Sequence, residues 1–328
     1  MITIRDVHDA QSRIKDHVFR TPTFLNRPLS KKTEAEVYLK LECYQPTGVF
    51  KIRGAFSIIL DNMEEAKRAG VVTASSGNHG LSLAYAAKSL GVKCTVVVTK
   101  NANPDKVRMI RQHEAQVVEG GATSDAIISQ ARELAASKGL FFVHPFDDPA
   151  VIAGQGTSAL ELLEDVQNLD SVLVPVGGGG LISGTAAVFR AIAPECKIIG
   201  VEPTGVPSLY ESLKKGELVT IKDPKSIADG LIGQTIGKLN FEILRQSVRD
   251  VVLVSDDEMK DAVKELLFDS HLLVEPSGAA PVAALLSGAY KPNVGERTAL
   301  ILSGGNISYL LLRDLLNESL GNNSNHNK

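Results

Sequence analysis

"SVLVPVGGGGLISGTAAVFRAIA", residues 171–193, carries three signals in one run. Residues 171–176 are apolar and β-branched, the pattern of a strand buried on both faces. Four glycines follow at 177–180, and 181–193 has the length and amphipathic spacing of a helix. Strand, glycine loop, helix is the unit of a parallel sheet covered by helices. The order recurs on either side. "VVTA" (71–74) enters "SSGNHG" (75–80) and then the helix candidate "LSLAYAAKSL" (81–90). "TALIL" (298–302) enters "SGGN" (303–306). Further strand candidates are "VYLKL" (37–41), "CTVVV" (94–98), "IIGVE" (198–202) and "DVVLV" (250–254), with another helix candidate at 124–138. The expected fold class is α/β with mostly parallel sheets.

The chain has 328 residues, which predicts two domains. Residues 64–148 hold compact strand–helix units, and "VHPFDDPAVIAGQG" (143–156) is expected to cross back to a larger unit. The reading is a small mobile domain, 64–148, inserted in a large domain made of 1–63 and 149–328. The net charge of −3 and the lack of any basic run interleaved with aromatics argue against nucleic acid. No apolar stretch approaches 18 residues, so no membrane span is expected. The N-terminus has charges from Arg5 onward and no apolar signal core. Cys43, Cys94 and Cys196 are odd in number and far apart, which suggests free thiols and a cytoplasmic protein. The tail "NESLGNNSNHNK" (317–328) is polar enough to fray.

A glycine loop opening a helix offers bare backbone N–H groups and the positive end of the helix dipole, which suits a phosphate or carboxylate. Glycine also serves tight strand-to-helix turns, so one such loop says little; three in one chain say more. The dinucleotide fingerprint fails, because the sixth position from Gly177 is Ile182 and from Gly178 is Ser183. The GxxxxGK[ST] loop is missing too, since Leu239 follows Gly237-Lys238. Four consecutive glycines suit a compact phosphate monoester such as the tail of pyridoxal phosphate. "PTGVFKIRGA" (46–55) then becomes informative. Lys51 stands among Val49, Phe50 and Ile52, where a lysine either snorkels to water or loses its charge. An amine of the second kind can hold an aldehyde cofactor. Asn78 could then bond the cofactor's ring oxygen, and Ser303 could face its ring nitrogen.

Taken together, "PTGVFKIRGA", "SSGNHG", "PVGGGGLISG", "IADG", "LLVEPSGA" and "LSGGN" resemble, in order and over residues 5–315, the fold-type II pyridoxal-phosphate enzymes. These are tryptophan synthase β-like proteins with two open, twisted sheets and helices on both faces. Within them the motifs are most similar to the threonine/serine dehydratases and serine racemases. The resemblance implies a pyridoxal 5′-phosphate cofactor and a small amino-acid substrate. It implies Lys51 as the Schiff-base lysine, with Phe50 beside it, and Asn78 on the pyridine 3-oxygen. Gly177, Gly178, Gly179, Gly180 and Leu181 would form the phosphate cup, and Ser303 would partner the pyridine nitrogen. Glu275 would lie near the ring. Ser75, Ser76, Asn78 and His79 would hold the substrate carboxylate. Family members are usually dimers or tetramers, so a homodimer or homotetramer is expected.

The activity this implies is dehydration of L-threonine or L-serine to a 2-oxo acid and ammonia. A neutral serine opposite the ring nitrogen suits β-elimination, with Lys51 as base at Cα. Two alternatives stay open. Ser76 matches the second base of the racemases, so serine racemisation is one. Dehydration of another β-hydroxy amino acid such as 3-hydroxyaspartate is the other. A protein that merely binds a phosphorylated ligand would have no need of Lys51. For a divalent cation, Glu202 is the one candidate ligand, because Ser208 stands where the racemases carry an aspartate. His79 could act as a base or serve only through its backbone. His144 reads as a loop residue, and Asp147 and Asp148 as a solvated turn. Asp229 reads as either a helix cap or part of the substrate mouth, and Cys43 and Cys94 as inert core thiols.

Overall fold

The structure, a computed structural model, describes residues 2–323. The first part of the chain contains α1 (Ile4–Ile14), β1 (Thr23–Leu25), α2 (Arg27–Thr33), β2 (Glu36–Leu41), α3 (Lys51–Asp61) and α4 (Met63–Ala69). Then come β3 (Val71–Ala74), α5 (Asn78–Ser89), β4 (Cys94–Val98), α6 (Pro104–Gln112), β5 (Gln116–Glu119), α7 (Ser124–Lys138) and β6 (Phe141–Phe142). The chain continues through α8 (Pro149–Asp165), β7 (Ser171–Pro175), α9 (Gly180–Ile192), β8 (Lys197–Pro203), α10 (Ser208–Lys215) and α11 (Lys238–Leu244). It finishes with β9 (Asp250–Val254), α12 (Asp256–Phe268), α13 (Pro276–Leu286), β10 (Arg297–Leu302) and α14 (Tyr309–Asn323).

The strands form two sheets. The larger has the order β1-β2-β10-β7-β8-β9, parallel except for β1 against β2. The smaller, β5-β4-β3-β6, is parallel throughout. Apolar clusters cover both faces of the large sheet, which explains why β7 reads as a continuous apolar run. From β7 the chain moves outward to β8 and β9, and β10 returns to the other side of β7. Strand order therefore reverses between β7 and β10, and such a switch point opens a crevice at the carboxyl ends of the strands. The glycine run follows β7, and Ser303 follows β10.

Two features fix α3, the helix that begins with Lys51. Glycines let it approach α8: a Cβ on Gly54 would lie 2.9 Å from the Val151 carbonyl, and one on Gly154 would lie 2.7 Å from that of Arg53. Beneath its first turn the buried Arg53 guanidinium donates from Nε to Glu42 (2.7 Å) and from Nη1 to Glu161 (2.7 Å). Lys40 on β2 also donates to Glu161 (2.7 Å), and Thr21 donates to Glu42 (2.6 Å). Two cations and two carboxylates thus neutralise one another out of water.

Several expectations change. Residues 149–156 form the start of α8 instead of a loop, and Gly154 and Gly156 serve helix packing against α3 and α9. Asp148 caps α8, accepting from Ala150 and Val151 N–H. Short strands β1, β5 and β6 were not legible in the sequence. The polar tail continues as α14 through Asn323, while residues 324–328 lie outside the described residues. Among the described residues no helix is long and apolar enough to cross a membrane.

Candidate active site

A cleft opens at the carboxyl ends of β7 and β10. It gathers Phe50, Lys51, Asn78, Gly177, Gly178, Gly179, Gly180, Leu181, Glu275 and Ser303 from five separate segments, together with Pro175, Gly230, Leu231 and Ser277. Lys51 does not snorkel. Its Nζ donates to the Pro145 carbonyl (3.1 Å) and lies 5.2 Å from the centre of the Phe50 ring. Among the described residues no carboxylate pairs with it, and desolvation lowers its pKa to about 8. The turn that carries it is stitched to the "SGGN" loop by Phe50 N–H to the Ser303 carbonyl (3.0 Å) and Gly305 N–H to the Gly48 carbonyl (2.9 Å).

On one side of Lys51 lies the glycine cradle, where α9 begins. Gly179 sits at φ +97°, which glycine tolerates, and a Cβ there would be 2.9 Å from Asn240 Cβ. Gly178 faces the Phe146 ring so closely that a Cβ would meet it at 2.3 Å. Asn240 Nδ2 donates to the carbonyls of Phe146 (3.0 Å) and Gly178 (3.1 Å). Asp147 in turn accepts from the N–H groups of Lys238 and Leu239, capping α11. Asp147 and Asp148 are thus helix caps, not a solvated turn. On the other side, Asn78 Nδ2 donates to Glu275 Oε1 (2.6 Å), and Asn78 Oδ1 accepts from Asn306 Nδ2 (2.9 Å). Burial pushes the Glu275 carboxyl up to about 7, and its Oε2 is buried without a partner.

Pyridoxal phosphate fits these groups. The cradle has no room for side chains and aims the N-terminus of α9 into the cleft, as an anion needs. An amine with a lowered pKa, an amide, a hydroxyl and an orphaned carboxyl oxygen surround the remaining space.

Not every expected residue joins the cleft. Ser75, Ser76 and His79 are not among its lining groups. Ser76 Oγ is engaged by Thr99, through the hydroxyl (3.0 Å) and the backbone N–H (2.8 Å). The His79 ring is buried with both nitrogens unpartnered, and desolvation, followed by the charge of Lys51, holds its pKa well below the usual histidine range. Glu202 caps α10. It accepts from the N–H groups of Leu209 and Tyr210 (2.8 Å each) and from Ser208 Oγ (3.1 Å), so its carboxylate is already satisfied. Among the described residues no cluster of three or more His, Cys, Asp or Glu could hold a metal ion. His144 Nδ1 accepts from the N–H groups of Phe146 and Asp147, which shapes the loop that holds Pro145. Asp229 stands at the mouth, paired with Lys106 of α6. Sequence reasoning missed Phe146, Asn240 and Lys106. "DDP" before α8 was a capping signal that could have placed Asp148, but nothing local marks the other three.

A family model described as pyridoxal-phosphate dependent enzyme matches residues 14–304. The L-threonine ammonia-lyase of Thermotoga maritima is 40% identical over 321 residues, covering 98% of this chain and 79% of the relative. The L-threo-3-hydroxyaspartate ammonia-lyase of Saccharomyces cerevisiae is 40% identical over 305 residues, covering 93% of each. The solved structure of maize serine racemase superposes with a TM-score of 0.91 at 34% identity, covering 98% of this chain and 99% of that one.

Proposed function

The chain belongs to the pyridoxal-phosphate-dependent enzyme family, and from that membership we propose that it dehydrates small β-hydroxy amino acids, L-serine and L-threonine, to a 2-oxo acid and ammonia. The observation that carries this reading is Lys51: an amine with its pKa near 8 and no carboxylate partner, in a cleft that ends in a glycine cradle. Gly177–Gly180 with Leu181 would hold the phosphate, Asn78 and Ser303 the ring, and Phe50 would pack beside the lysine. The cofactor, when bound, supplies an electron sink that acidifies the substrate's Cα–H bond. Lys51 Nζ accepts the Cα proton. The Cβ hydroxyl departs with the bonding electrons, and the enamine left behind hydrolyses to oxo acid and ammonia. Ser303 offers a neutral hydroxyl instead of a carboxylate. That weakens the sink and favours a reaction whose electrons leave with hydroxide. The N-terminus of α5, with Ser75, Ser76, Asn78 and His79, would take the substrate carboxylate through its backbone N–H groups.

Serine racemisation is the second reading, supported by the Ser76 hydroxyl and the likeness to maize serine racemase. It needs a proton donor on the face opposite Lys51, and Ser76 serves only once released from Thr99. One experiment tests both readings: oxo-acid release and chiral chromatography on wild type, Lys51→Ala and Ser76→Ala. Lys51→Ala abolishes both products and the visible absorption of bound cofactor. Ser76→Ala keeps L-serine dehydration within about tenfold, or about 1.4 kcal/mol of barrier, and loses D-serine. Wild type making D-serine faster than pyruvate would reverse the order of the readings.

The small domain, 64–148, would close on substrate, with Lys106–Asp229 as a contact between α6 and the segment that begins at Asp229. Three free thiols support a cytoplasmic setting. A homodimer or homotetramer is supported by exposed apolar side chains on neighbouring segments: Phe19, Tyr44, Leu273, Tyr309 and Leu310.

A further inference from the structure

Charge at the mouth of the cleft bears on which substrates the proposed reaction could take. Lys106 reaches from α6 over the serine loop: its Nζ is 3.8 Å from where a Cβ on Gly77 would stand. Its ammonium is committed to Asp229, and only 12% of its side chain is exposed. Arg132 lies over the Phe142 ring at 4.6 Å. Lys51 lines the cleft itself, and the cofactor claims it. Two carboxyl groups lie close enough to act on one another: Asp229, next to the lining residue Gly230, and Glu275 in the lining itself, with one oxygen unpartnered. His79 and His144 are neutral, burial holding the first well below the usual range and the second at about 4. The cation that reaches over the serine loop is thus already paired, and two acids lie near it.

Resting on the dehydratase reading, we infer that the Lys106–Asp229 pair is a charge filter, with Asp229 the specificity-determining residue that turns away β-hydroxy amino acids bearing a second carboxylate. A hydroxymethyl or hydroxyethyl side chain passes without disturbing the pair. A diacid such as L-threo-3-hydroxyaspartate has to compete with Asp229 for the Lys106 ammonium while approaching Glu275. Removing the Asp229 charge frees Lys106 to receive the second carboxylate.

The test compares holoenzymes of wild type, Asp229→Asn, Lys106→Met and the double variant. Specificity is read as the kcat/KM ratio of L-threo-3-hydroxyaspartate to L-serine. Binding is read calorimetrically as the Kd ratio of L-aspartate to L-alanine. Ratios are used because loosening the contact between α6 and Asp229 affects both members of a pair alike. Asp229→Asn should move both ratios toward the diacid by about tenfold, the scale of one contact charge pair in a part-solvated site. Lys106→Met should move them the other way, and the double variant should lose the gain. Unmoved ratios in Asp229→Asn, or a wild type that prefers the diacid, overturn the filter. If no substrate yields oxo acid but the binding ratios shift as stated, the filter stands and the dehydratase reading falls. If oxo acid forms and neither ratio shifts, the reverse holds.

Discussion

At the scale of single residues, Lys51 and Gly178 carry the sharpest expectations. In the folded, cofactor-free protein the Lys51 amine loses its proton near pH 8; in the unfolded chain it does so near 10.5. The unfolded state thus binds more protons between those values, and stability attributable to this group rises with pH across that window. Below pH 8 the folded protein carries the full desolvation cost of the ammonium. Lys51→Met removes that cost, so it should raise the Tm of the cofactor-free protein at pH 7 and do so less at pH 10. A mutant less stable than wild type at pH 7 contradicts the assignment. Gly178 is constrained from outside the cup, since any β-carbon meets the Phe146 ring at 2.3 Å. Gly178→Ala should therefore displace that ring or the loop and speed cofactor loss on dialysis. Pairing it with Phe146→Ala should restore retention in part, because the colliding atoms are gone. Failure of the second change to help would mean that the cradle's own backbone is what alanine disturbs.

At the scale of elements, α3 is held by charge as well as by close packing. Arg53 fastens it to Glu42, just after β2, and to Glu161 on α8, with Lys40 sharing Glu161. Burial works against the Arg53 charge, but Glu42 and Glu161 more than offset it, and its pKa is raised. Removing one member leaves buried carboxylates uncompensated, a change worth roughly 3–5 kcal/mol. Arg53→Met should lower stability by about that amount in chemical denaturation. A loss under about 1 kcal/mol would show that the carboxylates simply take up protons at little cost. The same logic explains Glu202. Its pKa is pushed up to about 7 by burial, with the N–H groups at the start of α10 pulling the other way. It acts as a cap of a kind the local sequence did not announce.

At the scale of the whole molecule, the exposed side chains of Phe19, Tyr44, Leu273, Tyr309 and Leu310 predict self-association. Tyr309→Glu with Leu310→Glu should lower the mass seen by analytical ultracentrifugation toward one chain without unfolding it. A wild type that already sediments as one chain removes the proposal. The α/β class, seven of the strands, and most of the residues that line the cleft, from Phe50 to Ser303, were legible in the sequence, for a local reason. A buried parallel strand, a glycine run and a helix start each leave a contiguous pattern, and chemistry that needs bare backbone N–H groups needs glycine in the chain itself. Strands β1, β5 and β6, of two to four residues, carry too little pattern and exist because a neighbouring strand pairs with them. Only the tertiary structure brought Phe146 against Gly178, Asn240 beneath the glycine loop, Lys106 onto Asp229, and Ser76 onto Thr99. In each case the partners lie 23 to 123 residues apart or on different elements, and which one a side chain meets is set by packing. Residue type and local order therefore determined what this protein can bind; the packing of α6, α11 and the 143–148 loop decided how the mouth of the cleft is charged and braced.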